Sequence, residues 1–127
     1  MPMRTFLQAK IHRAVITDAN LDYEGSISIC PDLITAAGLF LFERVDIYNL
    51  ANGERFSTYV IPGKQREIAL NGAAAHKGRL GDLVIIAAYV DLDEKEIESH
   101  APVAVHVDSE NRITSVDVHN IAPIPLS

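Results

Sequence analysis

The dipeptide Asn52-Gly53 constrains the fold most strongly. It sits in Ala51-Asn52-Gly53-Glu54, between two runs that alternate apolar and polar residues, Arg44 to Leu50 and Arg55 to Ile61. Asn and Gly adopt the left-handed backbone of a tight hairpin at low cost, so this stretch is predicted as two antiparallel strands. The same two-residue period recurs at Lys10 to Ile16, Tyr23 to Ile29, Glu67 to Leu70, Val103 to Val107 and Ile113 to Val118, and Leu83 to Val90 is apolar throughout. Many short strands in 127 residues favour a closed barrel, which removes exposed sheet edges. No repeat or low-complexity linker divides residues 1–127, so one domain is expected.

The connections are short. Asp18 to Asp22 reads as a polar turn, and Gly78 to Asp82 as another. Pro31 can open a helix that Gly38 closes. Asp91 to Ser99 is charged and solvated, helical in part. Gly25 interrupts the strand pattern of Tyr23 to Ile29, which marks a bend or a close approach to the backbone. The small residues of Asn71-Gly72-Ala73-Ala74-Ala75-His76 could bring backbone N–H groups close to a ligand.

Composition removes several function classes. A charge of −6, no dense basic patch and only four Tyr and four Phe argue against a nucleic-acid partner. An anionic substrate would have to be held by a few local cations. No apolar run approaches the ~20 residues of a membrane span, and the amino terminus lacks the apolar stretch of a secretion signal. A cytoplasmic protein with no membrane partner is expected. Cys30 is the single cysteine, which rules out an intrachain disulfide and suits a small buried hydrophobe. His76, His100, His106 and His119 lack compact ligand spacing, so no metal site is expected.

Chemistry enters at Glu24-Gly25-Ser26. A serine after glycine can attack the preceding carbonyl carbon if the turn is strained and the oxyanion is stabilised. Glycine has no Cβ to block the approach and tolerates unusual backbone angles. The resulting ester can eliminate to dehydroalanine, which hydrolyses to a pyruvoyl group and ammonia. By itself Gly-Ser equally describes an ordinary turn.

Several separated blocks change that balance. They are Arg4-Thr5 with Lys10-Ile11-His12-Arg13, Tyr23-Glu24-Gly25-Ser26, Asn52-Gly53 with Arg55-Phe56-Ser57-Thr58-Tyr59, Asn71-Gly72-Ala73-Ala74-Ala75-His76, and Gly81-Asp82-Leu83-Val84. Across most of its length the chain resembles the bacterial aspartate 1-decarboxylases, pyruvoyl enzymes that make β-alanine for pantothenate. Departures from that pattern fall mostly at 61–68 and in the carboxyl-terminal third.

The resemblance implies a mainly β fold, a six-stranded double-psi β-barrel with short helices, assembled as a homotetramer with active sites between subunits. It implies a cut between Gly25 and Ser26 that yields a β chain, 1–25, and an α chain, 26–127. Ser26 would become the covalent pyruvoyl cofactor. Thr58 would assist the cut by hydrogen-bonding the Gly25 carbonyl, and Asn71 with the N–H groups near Ala73 and Ala74 would contact the reacting group. Lys10 and Arg55 would bind the carboxylates of L-aspartate, and Tyr59 would donate a proton to the decarboxylated carbon. His12 and Tyr23 could line the pocket. Whether a maturation factor assists the cut stays open.

One rival reading is a non-enzymatic double-psi barrel used as an interaction module, in which Gly25-Ser26 is never cut. Gly81-Asp82 before a buried strand suits either. The joint presence of Lys10, Ser26, Arg55, Thr58 and Tyr59 favours the enzyme. A metal-dependent hydrolase has no constellation behind it.

Overall fold

The computed structural model describes residues 2–121. The strands are β1 (Arg4–Val15), β2 (Asp18–Asn20), β3 (Ser26–Ile29), β4 (Arg44–Asn49), β5 (Arg55–Pro62), β6 (Ile68–Asn71), β7 (Leu83–Leu92), β8 (Val103–Val107) and β9 (Ile113–Val118). Two short helices, α1 (Pro31–Ala37) and α2 (Glu94–Ile97), and a 3-10 turn at Gly72–Lys77 complete the chain. The mainly β class with short helices stands as expected.

Nine strands form one mixed sheet in the order β2-β6-β3-β5-β4-β7-β1-β8-β9. This exceeds the six strands of the expected barrel because β2, β8 and β9 extend its two ends. The inner six run from β6 to β1, and the chain leaving β1 returns directly to β6, where the Thr17 N–H donates to the Ile68 carbonyl at 2.8 Å. That closure is compatible with a barrel. Pairing is parallel for β1 with β8, β2 with β6 and β3 with β5, and antiparallel elsewhere.

The hairpin forms as the sequence predicts, with Tyr48 opposite Arg55 and Gly53 at φ +76°. Strand alternation sends Val45, Ile47 and Val60 inward to join Ile11, Ile27, Ile68, Leu70, Val84 and Ile86, all essentially without solvent exposure. A side chain of this size removed from water contributes on the order of 2 kcal/mol, so this aliphatic cluster is the main source of cohesion. Cys30 is buried among them. Helix α1 starts at Pro31 and ends on Gly38 in the left-handed conformation.

Three segments differ from the sequence reading. Asp18–Asn20, expected as a turn, is a short strand because β6 offers it a parallel edge, with Asn20 beside Asn71. Tyr23, Glu24 and Gly25 lie outside the strand expected from Tyr23, which starts only at Ser26. β1 begins at Arg4, six residues earlier than its alternation indicates, since β7 pairs with it from Leu92 onward.

Candidate active site

The outer face of β6, β3 and β5 gathers the polar side chains of the site. Register places Asn20 beside Asn71 and Asn71 beside Ser26. On the other side of β3, Ile27 pairs with Val60 and Ser28 with Ile61. Carried back one residue, that register brings Ser26 level with Tyr59, and Tyr59 in turn pairs with Arg44. Paired residues share a sheet face, so Asn20, Asn71, Ser26, Tyr59 and Arg44 form one row. Four separate stretches of sequence thus converge on Ser26.

Ser26 is 1% exposed and Asn71 4%. Polar groups so buried need partners, and these two supply each other: Asn71 Nδ2 donates to Ser26 Oγ at 3.0 Å and to Ser28 Oγ at 2.9 Å. The Ser26 hydroxyl donates to the Glu24 carbonyl at 3.0 Å, so its oxygen is turned back along the upstream chain. A pocket of about 510 Å3 opens beside the row, lined by Asp18, Asn20, Tyr23, Ser28, Ile61 and Asn71 among others. Tyr23 is thereby placed at the site's mouth, where it is exposed.

The glycine that matters sterically is not the expected one. Gly25 has no left-handed φ, and a Cβ built on it would meet nothing within 4 Å. Gly72 has φ +65°, and its Cβ would come within 2.7 Å of both Cα and N of Gly25. Backbone permissiveness therefore resides at Gly72, which lets the chain after Asn71 press against the segment before Ser26. Ala73 is exposed and Ala74 buried on the 3-10 turn that follows.

Thr58 and Tyr59 point to opposite faces, as neighbours in a strand must. Thr58 pairs with the buried Val45. Among the described residues its hydroxyl makes no hydrogen bond to the Gly25 carbonyl, contrary to expectation, although the continued β3–β5 register sets it level with Gly25.

Lys10 and Arg55 are not gathered around Ser26 within one chain. Lys10 lies on β1, which does not pair with β3, and neither Lys10 nor Arg55 lines the pocket beside Ser26. Arg55 shares the outer face with Tyr59, but at ~3.3 Å per residue it stands ~13 Å down the strand. Its guanidinium lies 4.2 Å from the centre of the Tyr48 ring. The Tyr48 and Tyr89 hydroxyls share a hydrogen bond of 2.7 Å. Burial, then that bond, pushes the Tyr48 phenol up to about 12, so it stays protonated.

His12 is two residues along from Lys10. Its ring meets His106 edge-on at 5.3 Å, and His106 Nε2 lies 3.1 Å from Asp117 Oδ2. Among the described residues, the buried His12 Nδ1 has no hydrogen-bond partner. Burial first, and then Lys10, His106 and Arg13, hold the imidazole below its ordinary value.

Sequence reasoning missed Ser28, Tyr48 and the contact made by Gly72. Only Gly72 had a signal, as a glycine directly after Asn71; the others depend on strand pairing that no local pattern contains.

Comparison with known proteins gives the family. Residues 2–114 match the family described as Aspartate decarboxylase. A protein named aspartate 1-decarboxylase from Bdellovibrio bacteriovorus is 58% identical over 110 residues, covering 87% of this chain and 89% of that protein. One of the same name from Hydrogenobaculum sp. is 56% identical over 113 residues, covering 89% and 90%. Another, from Ralstonia pickettii, is 48% identical over 115 residues, covering 89% and 96%. With a family match spanning most of the chain and relatives this similar, the chain belongs to the aspartate decarboxylase family.

Proposed function

We propose that this chain is a self-processing decarboxylase that converts L-aspartate to β-alanine and CO2 with a pyruvoyl group made from Ser26. The observation that carries this reading is the buried Ser26 hydroxyl, turned upstream and held by Asn71, in a family whose relatives bear the name aspartate 1-decarboxylase.

Processing uses the chain's own atoms. Ser26 Oγ attacks the Gly25 carbonyl carbon; the Gly25–Ser26 amide bond breaks as an ester bond to Oγ forms, and the freed nitrogen takes up the hydroxyl proton. Loss of the Ser26 α-proton expels the Gly25 carboxylate and leaves dehydroalanine at residue 26. Water then replaces its nitrogen, which departs as ammonia. The products are 1–25 and 26–127. Thr58, level with Gly25 in the continued register, offers its hydroxyl to the developing oxyanion.

The residues present fit such a group. Asn71 Nδ2 already donates to an oxygen of residue 26 and suits a carbonyl oxygen there equally well. The pyruvoyl group supplies an electrophilic carbonyl that takes up the substrate amino group and accepts the electrons left by the departing carboxylate. Arg55 offers a planar fork to one carboxylate of aspartate and Lys10 a compact cation. Ala73 and Ala74 offer N–H donors beside Asn71. Tyr59, on the Ser26 row, donates a proton to the carbon that lost CO2.

Neither Lys10 nor Arg55 lines the pocket beside Ser26 in its own chain, which supports an assembly in which a neighbouring subunit supplies them, the homotetramer of our reading. Among the described residues no helix is long and apolar enough to cross a membrane. The test is intact mass combined with product detection: cleaved chain with β-alanine formed from aspartate supports the reading, and cleaved chain that leaves aspartate untouched refutes it.

A further inference from the structure

Between α1 and β4 the chain makes a turn at Phe40–Glu43, closed by the Glu43 N–H donating to the Phe40 carbonyl at 3.1 Å. Phe42, the third residue of that turn, has φ +68°. Its N–H donates to the Val60 carbonyl at 2.7 Å, and the Val60 N–H donates to the Glu43 carbonyl at 3.1 Å. Phe42 and Glu43 together therefore oppose Val60, a β-bulge whose first residue is left-handed. Glycine is the usual occupant of that position, with Asn also tolerated in such turns. A bulky aromatic there is an outlier.

Burial does not explain the choice, since Phe42 is 73% exposed. Its ring has one aromatic partner among the described residues, Tyr59, with centroids 6.0 Å apart and planes inclined by 36°. That separation lies within the range of attractive aromatic pairs. Tyr59 immediately precedes Val60, so the bulge that aims the Phe42 ring grips β5 next to the residue the ring touches. Unfavourable backbone of this kind persists where surrounding structure and function both require it.

We propose that Phe42 is a positioning residue for Tyr59: a bulge suited to glycine aims the Phe42 ring at the phenol and fixes its orientation on the Ser26 row. The inference rests on the reading of Tyr59 as proton donor. The competing account gives the exposed Phe40, Leu41 and Phe42 a purely structural or assembly role.

Phe42→Asn keeps the left-handed backbone and removes the ring, whereas Phe42→Tyr keeps the ring. In the full chain, Phe42→Asn is expected to lower kcat about tenfold, as a misoriented group does, with KM for aspartate unchanged. Intact mass should show complete cleavage, light scattering an unchanged assembly, and NMR shifted Tyr59 ring resonances. Phe42→Tyr should restore kcat. Unchanged kcat or unmoved Tyr59 resonances in Phe42→Asn would overturn the proposal. So would a loss of activity that comes with a smaller assembly or incomplete cleavage. Tyr59→Phe separates the two levels: if it turns over like the parent, the proton-donor reading fails too. If it is slow while Phe42→Asn is not, the positioning role alone fails.

Discussion

Gly72 packs against Gly25 so closely that a methyl group on Gly72 would sit 2.7 Å from the Gly25 backbone. The two lie opposite each other at the same end of the Ser26–Asn71 pair, which is itself fixed by antiparallel register. Gly72→Ala would force a left-handed alanine against main chain, with no flexible side chain to yield. A loss of about 2 kcal/mol or more of stability is expected. Gly25→Ala meets open space and should leave the melting temperature near that of the parent. Thermal unfolding of both variants checks the contrast, and equal melting temperatures would contradict it.

Asn71 is the donor that the Ser26 hydroxyl faces. Asn71→Ala leaves two buried serine oxygens without it and removes a polar group from the reacting centre. Self-cleavage should slow on the order of 10²-fold, the usual cost of a lost preorganised donor. A time course of intact mass measures it; cleavage at the parent's rate would exclude Asn71 from processing.

Tyr59 should matter after cleavage rather than during it. Tyr59→Phe keeps the ring on its strand and removes the proton, so cleavage should go to completion while kcat falls by about 10². Steady-state kinetics on fully cleaved protein checks this, and an unchanged kcat would remove Tyr59 as the acid.

His12 gives the fold an acid-sensitive element. Its folded value is lowered from 6.5, chiefly by burial and then by Lys10, His106 and Arg13. As pH falls through that unfolded value, the unfolded chain binds the proton more readily than the folded one, so stability falls. The contribution is intact above that pH and is lost progressively below it. Melting temperature measured from pH 7.5 to 5.5 should fall more steeply for the parent than for His12→Gln. Parallel curves would show that His12 does not report on folding.

Much of the fold is legible locally. Asn52-Gly53 specifies its hairpin, Pro31 and Gly38 bracket α1, and the inward set Val45, Ile47 and Val60 follows from alternation. What local pattern cannot supply is partnership. Asp18–Asn20 looks like a turn because its polarity reports solvent exposure, while the β6 edge that makes it a strand lies some 50 residues away. The link between Ser26 and Asn71 spans 45 residues and depends on β3 and β6 pairing in one register. The candidate site residues come from resemblance, and local pattern does not give their arrangement: Asn71, Ser26 and Tyr59 share a row, Thr58 faces inward, and Lys10 lies on a strand that does not pair with β3. Phe42 has no sequence signal, since only its φ betrays it.

The most direct test is the intact mass of the purified chain after incubation, alongside Ser26→Ala. The account predicts two polypeptides from the parent, 1–25 and 26–127, the larger carrying a carbonyl that borohydride reduces, and one undivided polypeptide from the variant. A parent chain that stays whole under every condition, or a Ser26→Ala chain that divides at the same bond, would contradict it.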